Sequence, residues 1–502
     1  MLWRRLDPPI TLVVSVVGAA SLGTEIAVAR LIAPFFGAST LVWANTIAVV
    51  LVALSVGYWF GGRLADRHPT IRGLCTLILV AGALLGVTPY VSEPFLQLSA
   101  RAFSSLSVGI FAGSLFALLA LVAVPVALVG AVAPWAVRLK IRALGDAGRT
   151  TGRLYAVSTV GSLVGTFVAA LVLVPYVGTH RTFLILALSL ALVAVPALPR
   201  RGLVVPIALA VAIAVPPGQI KPAAAGERVL YQTETPYQFA EVLQSSDGTR
   251  FLELNEGQAE HSVYRSDTVL TGGYWDSLLT LPLSVLHRPP RSVAVLGNAA
   301  GTVDRAYAHY FPSTEMDAVE LDGALTRIGT RYFGLERRPQ LHLITADARP
   351  FLRTTTHRYD LIVVDAYRQP YIPFYLTTVE FFALVRQHLN PGGVVLVNVG
   401  QPPGQTQLER VLAATAGTVL PHVARDPVAS TNTMLVGSVA PISAAQLRAA
   451  PLPPSLRDQA QTEAAGLGPP LPGGTVYTDD RAPIEQLVDG SLLHYAAAPG
   501  HR

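Results

Sequence analysis

Four acidic residues, Glu320, Asp322, Asp347 and Asp365, close or follow short apolar runs in the second half of this chain. A carboxylate can accept two hydrogen bonds from a vicinal diol, which is how a ribose is held. It can also accept from the exocyclic amine of adenine, or take a proton from a nucleophile. Upstream, residues 292–304 read SVAVLGNAAGTVD: an apolar run stops at Gly297, and small residues lead through Gly301 into a helix-like run. Strand, tight turn and helix in that order bring backbone N–H groups close to a bound nucleoside or nucleotide. The loop lacks the full G-x-G-x-x-G pattern, so alone it is a weak signal. Glu320 lies 19 residues beyond Gly301, near the spacing at which an acid meets a ribose diol in such units.

These residues need a scaffold that lines them up. Strands are expected at 292–297, 315–320, 341–345, 359–365 and 393–399, with helices between them. That alternation predicts a mainly parallel sheet covered by helices on both faces, an α/β Rossmann-like arrangement of the methyltransferase type. Ligands of such sheets bind beyond the carboxyl ends of the strands, where all four acids fall. Before the first strand come β-like runs at 228–232, 239–243 and 250–254, the last two separated by the turn Ser246-Asp247-Gly248. They predict a small antiparallel lid carrying Tyr237, Gln238, Gln258, Glu260 and His261, followed by a helix that opens with Tyr274, Trp275 and Asp276.

The first half has a different character. Hydrophobic residues make up 51% of the 502 and charged residues only 14%, against roughly 25% in soluble domains; mean hydropathy is +0.45. The deficit is concentrated in residues 1–220. Apolar runs at 10–33, 41–60, 73–91, 108–133, 154–177 and 182–198 are each near the length of a membrane span. A seventh run, 203–215, is short and contains Pro206. Arg4 and Arg5, then Arg63, Arg67 and Arg72, then Arg138, Lys140, Arg142, Arg149 and Arg153, then Arg200 and Arg201 mark alternate loops as cytoplasmic. Six spans, with the short Pro-bearing run re-entrant or interfacial, would leave the soluble half on the cytoplasmic side of the inner membrane, and a full seventh would place it outside. The net charge of +5 belongs largely to these loops, which fits orientation on a lipid bilayer and excludes nucleic-acid binding as its purpose. The single Cys75 rules out an intrachain disulfide or a CxxC metal or redox motif, and no metal site is expected. Glu25 and Arg30 are costly inside a span and mark a functional site or a buried pair. The spacings Gly57-x-x-x-Gly61 and Gly161-x-x-x-Gly165 predict close helix packing. Three regions are expected: a helical membrane domain at 1–220, a small β-rich subdomain with its lead helix at 221–290, and the α/β domain at 291–502.

The chain resembles the spermidine synthase (polyamine aminopropyltransferase) family, in its membrane-fused bacterial form. In the membrane half the likeness rests on LGTEIAVARLIAPFFG, VGYWFGGRLADR and GRLYAVSTVGSLVGTF. In the soluble half it rests on ETPYQFAEV, the GNAAG loop, AVELD, TADARPFL, YDLIVVDAY, YLTTVEFFALVRQHLNPGGVVLVNV and YTDDRAPIEQL. The resemblance implies transfer of an aminopropyl group from decarboxylated S-adenosylmethionine, a co-substrate rather than a resident cofactor, to a small-molecule amine. It implies that Gly297 and Gly301 shape the nucleoside loop, that Glu320 holds the ribose and Asp347 the adenine, and that Gln258 and Tyr274 lie at the same pocket. Asp365 is then the catalytic base, with Tyr367 and Arg368 near the acceptor; a homodimer is also implied. Asp479 and Asp480, in YTDDRAP, restore acidity to the acceptor site if their loop folds over it, and otherwise form a surface turn. Two positions depart from the family pattern. Ala300 stands where the family has the aspartate that binds the aminopropyl end, and Arg368 stands where it has the aspartate that grips a diamine. Both changes remove negative charge from the place a polycation would occupy. Two other readings therefore stand beside the first: an S-adenosylmethionine-dependent, methyltransferase-like enzyme, and a non-catalytic nucleoside-binding membrane or transport protein.

Overall fold

The computed structural model describes residues 7–37, 39–103, 109–141, 144–216, 218–257, 259–368 and 371–497. Two compact units emerge: Met1–Pro222 together with Gln232–Phe239, and Ala223–Tyr231 together with Ala240–Arg502.

The first unit is a helical bundle. Its helices are α1 (Ile10–Phe36), α2 (Thr40–Arg67), α3 (Ile71–Phe103), α4 (Gly109–Gly130), α5 (Val132–Lys140), α6 (Ala147–Val168), α7 (Val174–Val177), α8 (Thr179–Ala194) and α9 (Val204–Ala214). Among the described residues, six stretches are long and apolar enough to cross a membrane: Ile10–Phe36, Thr40–Arg67, Ile71–Ser99, Phe111–Lys140, Ala147–Val177 and Thr179–Ala197. Their outer faces carry Leu51, Trp59, Phe116, Leu163 and Leu171 exposed, the pattern of side chains meant for lipid rather than water. The paired glycines sit at helix crossings. A Cβ on Gly161 would lie 2.1 Å from the Ser15 carbonyl oxygen, and one on Gly165 2.1 Å from that of Ala19, so α6 rests directly on α1. Gly57 and Gly61 bring α2 equally close to Ala127 and Ala131. The short run predicted at 203–215 forms α9.

After the bundle comes a four-stranded sheet, β1 (Glu227–Glu234), β2 (Phe239–Ser245), β3 (Arg250–Leu254) and β4 (Glu260–Tyr264), in the order β1-β2-β3-β4. The fourth strand adds to the three expected from sequence. Next come α10 (Tyr274–Thr280), β5 (Ser292–Leu296), α11 (Thr302–Tyr310), β6 (Glu315–Glu320), α12 (Gly323–Tyr332), β7 (Leu341–Thr345), α13 (Ala348–Thr354), β8 (Tyr359–Val364), α14 (Val379–His388), β9 (Leu389–Gly400), α15 (Gln407–Gly417), β10 (His422–Asp426), β11 (Asn432–Ser438), α16 (Ala444–Arg448), α17 (Pro454–Gly466) and α18 (Ile484–Ala497). The large sheet has the order β10-β11-β9-β8-β5-β6-β7.

The five predicted strands pair in parallel, while β11 runs antiparallel to β9 and β10 antiparallel to β11. Every residue of β8 is buried, as expected of a strand covered on both faces. One core, with Leu278, Val295, Tyr307 and Leu361, fills one face; another, with Leu296, Ile362, Phe381 and Leu412, fills the other. The chain leaves β5 for β6 on one side and returns to place β8 on the other. The carboxyl ends of β5 and β8 therefore border the point where strand order reverses, the usual crevice for a ligand.

Candidate active site

Gly297 ends β5 with φ +94°, and a Cβ there would lie 2.4 Å from the Asp365 carbonyl oxygen and 2.5 Å from the Ala366 Cα. The β5 and β8 ends thus come too close for any side chain, and only glycine fits both the conformation and the space. Gly301, in the left-handed region at φ +86°, caps the start of α11. Between them the loop is pinned from two sides. The Ser262 hydroxyl accepts from the Ala300 N–H at 2.9 Å, and Glu320 accepts from the Ala299 N–H at 2.8 Å.

Glu320 is 8% exposed at the end of β6 and accepts also from the Asp322 N–H at 2.9 Å. Burial raises its pKa; the N–H groups of Asp322 and Ala299 oppose that. Each of its oxygens serves one backbone donor, which leaves acceptor capacity on a group with about four lone-pair positions. Asp322 caps α12 through the Ala324 N–H at 3.0 Å, while its other oxygen is buried without a partner. Asn298 donates to Asp304 at 2.8 Å, and the remaining side-chain oxygens of both are likewise buried and unpartnered. Buried acceptors normally find donors, so this loop suits a ligand or waters that bring N–H or O–H groups.

Asp347, after β7, caps α13 through the Arg349 N–H at 3.2 Å and accepts from the Tyr375 hydroxyl at 2.8 Å. Asp365, just past β8, accepts from the Tyr274 hydroxyl at 2.9 Å and from Asn398 Nδ2 at 2.8 Å. Burial pushes its pKa up to about 7, although the hydrogen bonds from Asn398 and Tyr274 favour the ionised form. Tyr274 is positioned by stacking on Trp275, with ring centroids 4.2 Å apart. Tyr367 donates to the Asn398 carbonyl at 2.8 Å and accepts from the Gly400 N–H at 2.6 Å, tying β9 to the segment after β8.

Thus Gly297, Glu320 and Asp347 lie at successive strand ends, Gly301 opens α11, and Asp365 meets Tyr274 directly. Arg368 exchanges backbone hydrogen bonds with Tyr371, and its side chain is exposed. Asp479 is committed elsewhere: both its oxygens accept from Arg349, at 2.7 and 2.6 Å, and one also accepts from the Thr378 hydroxyl at 2.7 Å. The Arg349 guanidinium, followed by Thr378, holds the Asp479 carboxyl below its ordinary range. Asp480, on the same turn, is exposed, and Gln258 lies outside the described residues. Sequence reasoning missed Asn398 and Tyr375. Asn398 was within reach, since it sits near the end of the predicted strand 393–399, where the rule that selected the acids also applies. Tyr375 carried no such signal, because it arrives from a loop.

Residues 273–444 match the family described as "Spermine/spermidine synthase domain". The chain is 35% identical over 190 residues to a "Probable polyamine aminopropyl transferase" of Bifidobacterium longum, covering 38% of this chain and 42% of that one. It is 25% identical over 429 residues to "Polyamine aminopropyltransferase 2" of Ralstonia nicotianae, covering 80% of each. The match spans less than half the length of the first two relatives, at 42% and 41%. Among solved structures, a probable spermidine synthase from Corynebacterium glutamicum aligns over 51% of this chain and 98% of its own, with 21% identity and a TM-score of 0.38.

Proposed function

We propose that this chain, whose residues 273–444 carry a spermine/spermidine synthase domain, is a membrane-anchored aminopropyltransferase. Its donor would be decarboxylated S-adenosylmethionine and its acceptor a small amine. The observation that carries the reading is Asp365: a carboxylate poised near neutrality, oriented by Tyr274 and Asn398, at the strand end beside the glycine loop. A free alkylammonium has a pKa of about 10, so the acceptor must lose a proton to become a nucleophile. Asp365 takes that proton. The amine lone pair forms a C–N bond to the carbon next to the sulfonium, the C–S bond breaks, and its electron pair leaves with methylthioadenosine. Glu320 uses its spare acceptor sites on the ribose diol, and Asp347, steadied by Tyr375, takes the adenine amine. Tyr367 lies beside the acceptor end of the pocket. A homodimer in the bilayer would accord with the resemblance.

Release of methylthioadenosine from decarboxylated S-adenosylmethionine, assayed with a panel of mono- and diamines, tests the reading; no release with any amine refutes it. One observation favours a second reading. Arg368 offers an exposed cation next to the segment that holds Asp365, which suits a carboxylate-bearing substrate such as S-adenosylmethionine in a methyltransferase-like reaction. Methyl transfer in place of methylthioadenosine release would select it.

A further inference from the structure

We propose that the α/β half of this protein faces the non-cytoplasmic side of the membrane, so that its site meets solutes outside the cytoplasm. A cytosolic nucleoside donor does not reach that side unaided, so this placement favours the nucleoside-binding or transport reading over aminopropyl transfer. Charge distinguishes the two ends of the helical bundle. Arg67 closes α2, Arg72 opens α3, Arg138 and Lys140 close α5, and Arg149 and Arg153 open α6. An ion pair between Arg138 and Asp66 joins α5 to α2 at this end. An excess of Lys and Arg in short loops marks the cytoplasmic face. The turns at the opposite end, 37–39 and 178, contain neither residue.

The last helix runs away from the basic end. Gly202 lies against Leu79 of α3, and seven residues later Leu209 lies against Gly86 of α3, again seven residues on. The two segments therefore rise in parallel, and α3 rises from the basic end. The 3₁₀ turn Arg200–Leu203 and α9 together span about 24 Å. That is short of the ~30 Å hydrocarbon core, a mismatch that local thinning accommodates. With the six longer spans this makes seven crossings.

The chain after α9 is then held at the far end. The segment Gln232–Phe239 packs as part of the helical unit. Glu234 accepts from both the backbone N–H and the hydroxyl of Thr179, the first residue of α8. A carboxylate at a helix N-terminus is favourably placed. Arg30, near the end of α1, donates to the carbonyl of Pro236. Thr179 follows the uncharged turn at Gly178, so this anchor lies at the end opposite the cluster of Arg67, Arg72, Arg138, Lys140, Arg149 and Arg153, with Arg30 and Arg181 beside it. Beyond it, no described helix is long and apolar enough to recross the bilayer, and covalent continuity keeps the following residues on that side. Six spans alone predict the cytoplasmic side; α9 and its anchor reverse that parity.

The test uses the full chain with Cys75→Ser as background, and two exposed positions for single cysteines: Ser246→Cys in the β2–β3 turn and Gly148→Cys in the first turn of α6. Spheroplasts are treated with a membrane-impermeant maleimide. Ser246→Cys should label at least tenfold more than Gly148→Cys, which should react only after permeabilisation. The reverse pattern, reaction of both only after permeabilisation, or equal reaction of both in intact spheroplasts overturns the proposal. A C-terminal phosphatase fusion that matures only outside the cytoplasm should be active, and an inactive full-length fusion overturns it too. Neither readout depends on turnover, so failure here leaves the proposed reaction standing, and the converse holds.

Discussion

At the scale of single residues, burial raises the pKa of both Asp365, the proposed base, and Glu320, the proposed ribose acceptor. Asp365 sits near 7 because burial disfavours its charge more than Asn398 and Tyr274 restore it. A base works only when ionised, so kcat/KM should rise with pH through about 7, and a flat profile from 5 to 8 would remove Asp365 from the role. Asp365→Asn should lower methylthioadenosine release by about 100-fold or more. The same substitution should raise stability at alkaline pH. A carboxyl whose folded pKa lies above its unfolded value makes the folded state lose stability as pH rises from about 4 to about 7. The asparagine escapes that loss. Its thermal midpoint in detergent should exceed that of the parent at pH 8 by the equivalent of roughly 2 kcal/mol, about half the full shift because solvent still reaches the carboxyl, and should match it at pH 4. For Glu320, calorimetry with methylthioadenosine should show at least a tenfold loss of affinity in Glu320→Ala. Glu320→Gln, which can still accept from one backbone donor, should lose less; unchanged affinity in both would refute the ribose role.

At the scale of elements, two features decide whether the site is built at all. The close approach of β5 to β8 leaves no room for a methyl at Gly297. Gly297→Ala should therefore cost more than the ~1 kcal/mol of an ordinary glycine-to-alanine change at positive φ, read as a lower melting midpoint together with lost nucleoside binding. The YTDD turn is clamped by Arg349 on α13 and Thr378 at the start of α14. Its acid contributes as an ion pair above the ordinary carboxylate pKa, and that contribution fades as pH falls through the depressed value. Asp479→Asn should lower the midpoint by a few degrees at pH 7 and converge with the parent at acidic pH. In the bundle, Gly161→Val places side-chain atoms against the Ser15 carbonyl. Reduced yield of monodisperse protein in detergent is expected, whereas a substitution at the exposed Val160 of the same helix should be tolerated.

At the scale of the whole molecule, the two halves were separable in the sequence because lipid and water impose different compositions. Six spans and the five parallel strands followed from run length and alternation, signals that are local by nature. The acids at strand ends were legible for the same reason: each ends its own short apolar run. Asn398 and Tyr375 were not picked out, because a polar residue near a strand end or in a loop acquires a role only from what folds against it. The antiparallel pair β10 and β11 escaped notice because its register is set by β9, not by any pattern of its own. The departures at Ala300 and Arg368 were visible as residue types. What tertiary structure added is that Asp479 is bound to Arg349, so its acidity is spent on holding a turn.

The sequence by itself determined where the apolar spans lie, that a nucleotide-type α/β sheet follows them, and that Glu320, Asp347 and Asp365 end or follow its strands. These depend on solvent transfer and on strand periodicity, which act residue by residue. Only the tertiary structure decided that Tyr274 and Asn398 converge on Asp365 and that burial pushes its carboxyl up to about 7. It also showed that the Glu234 carboxylate caps α8 at the end of the bundle away from the basic cluster of α2, α3, α5 and α6. Each of these depends on groups far apart in the chain meeting in a partly desolvated place, where distance and burial, not residue type, set the energy.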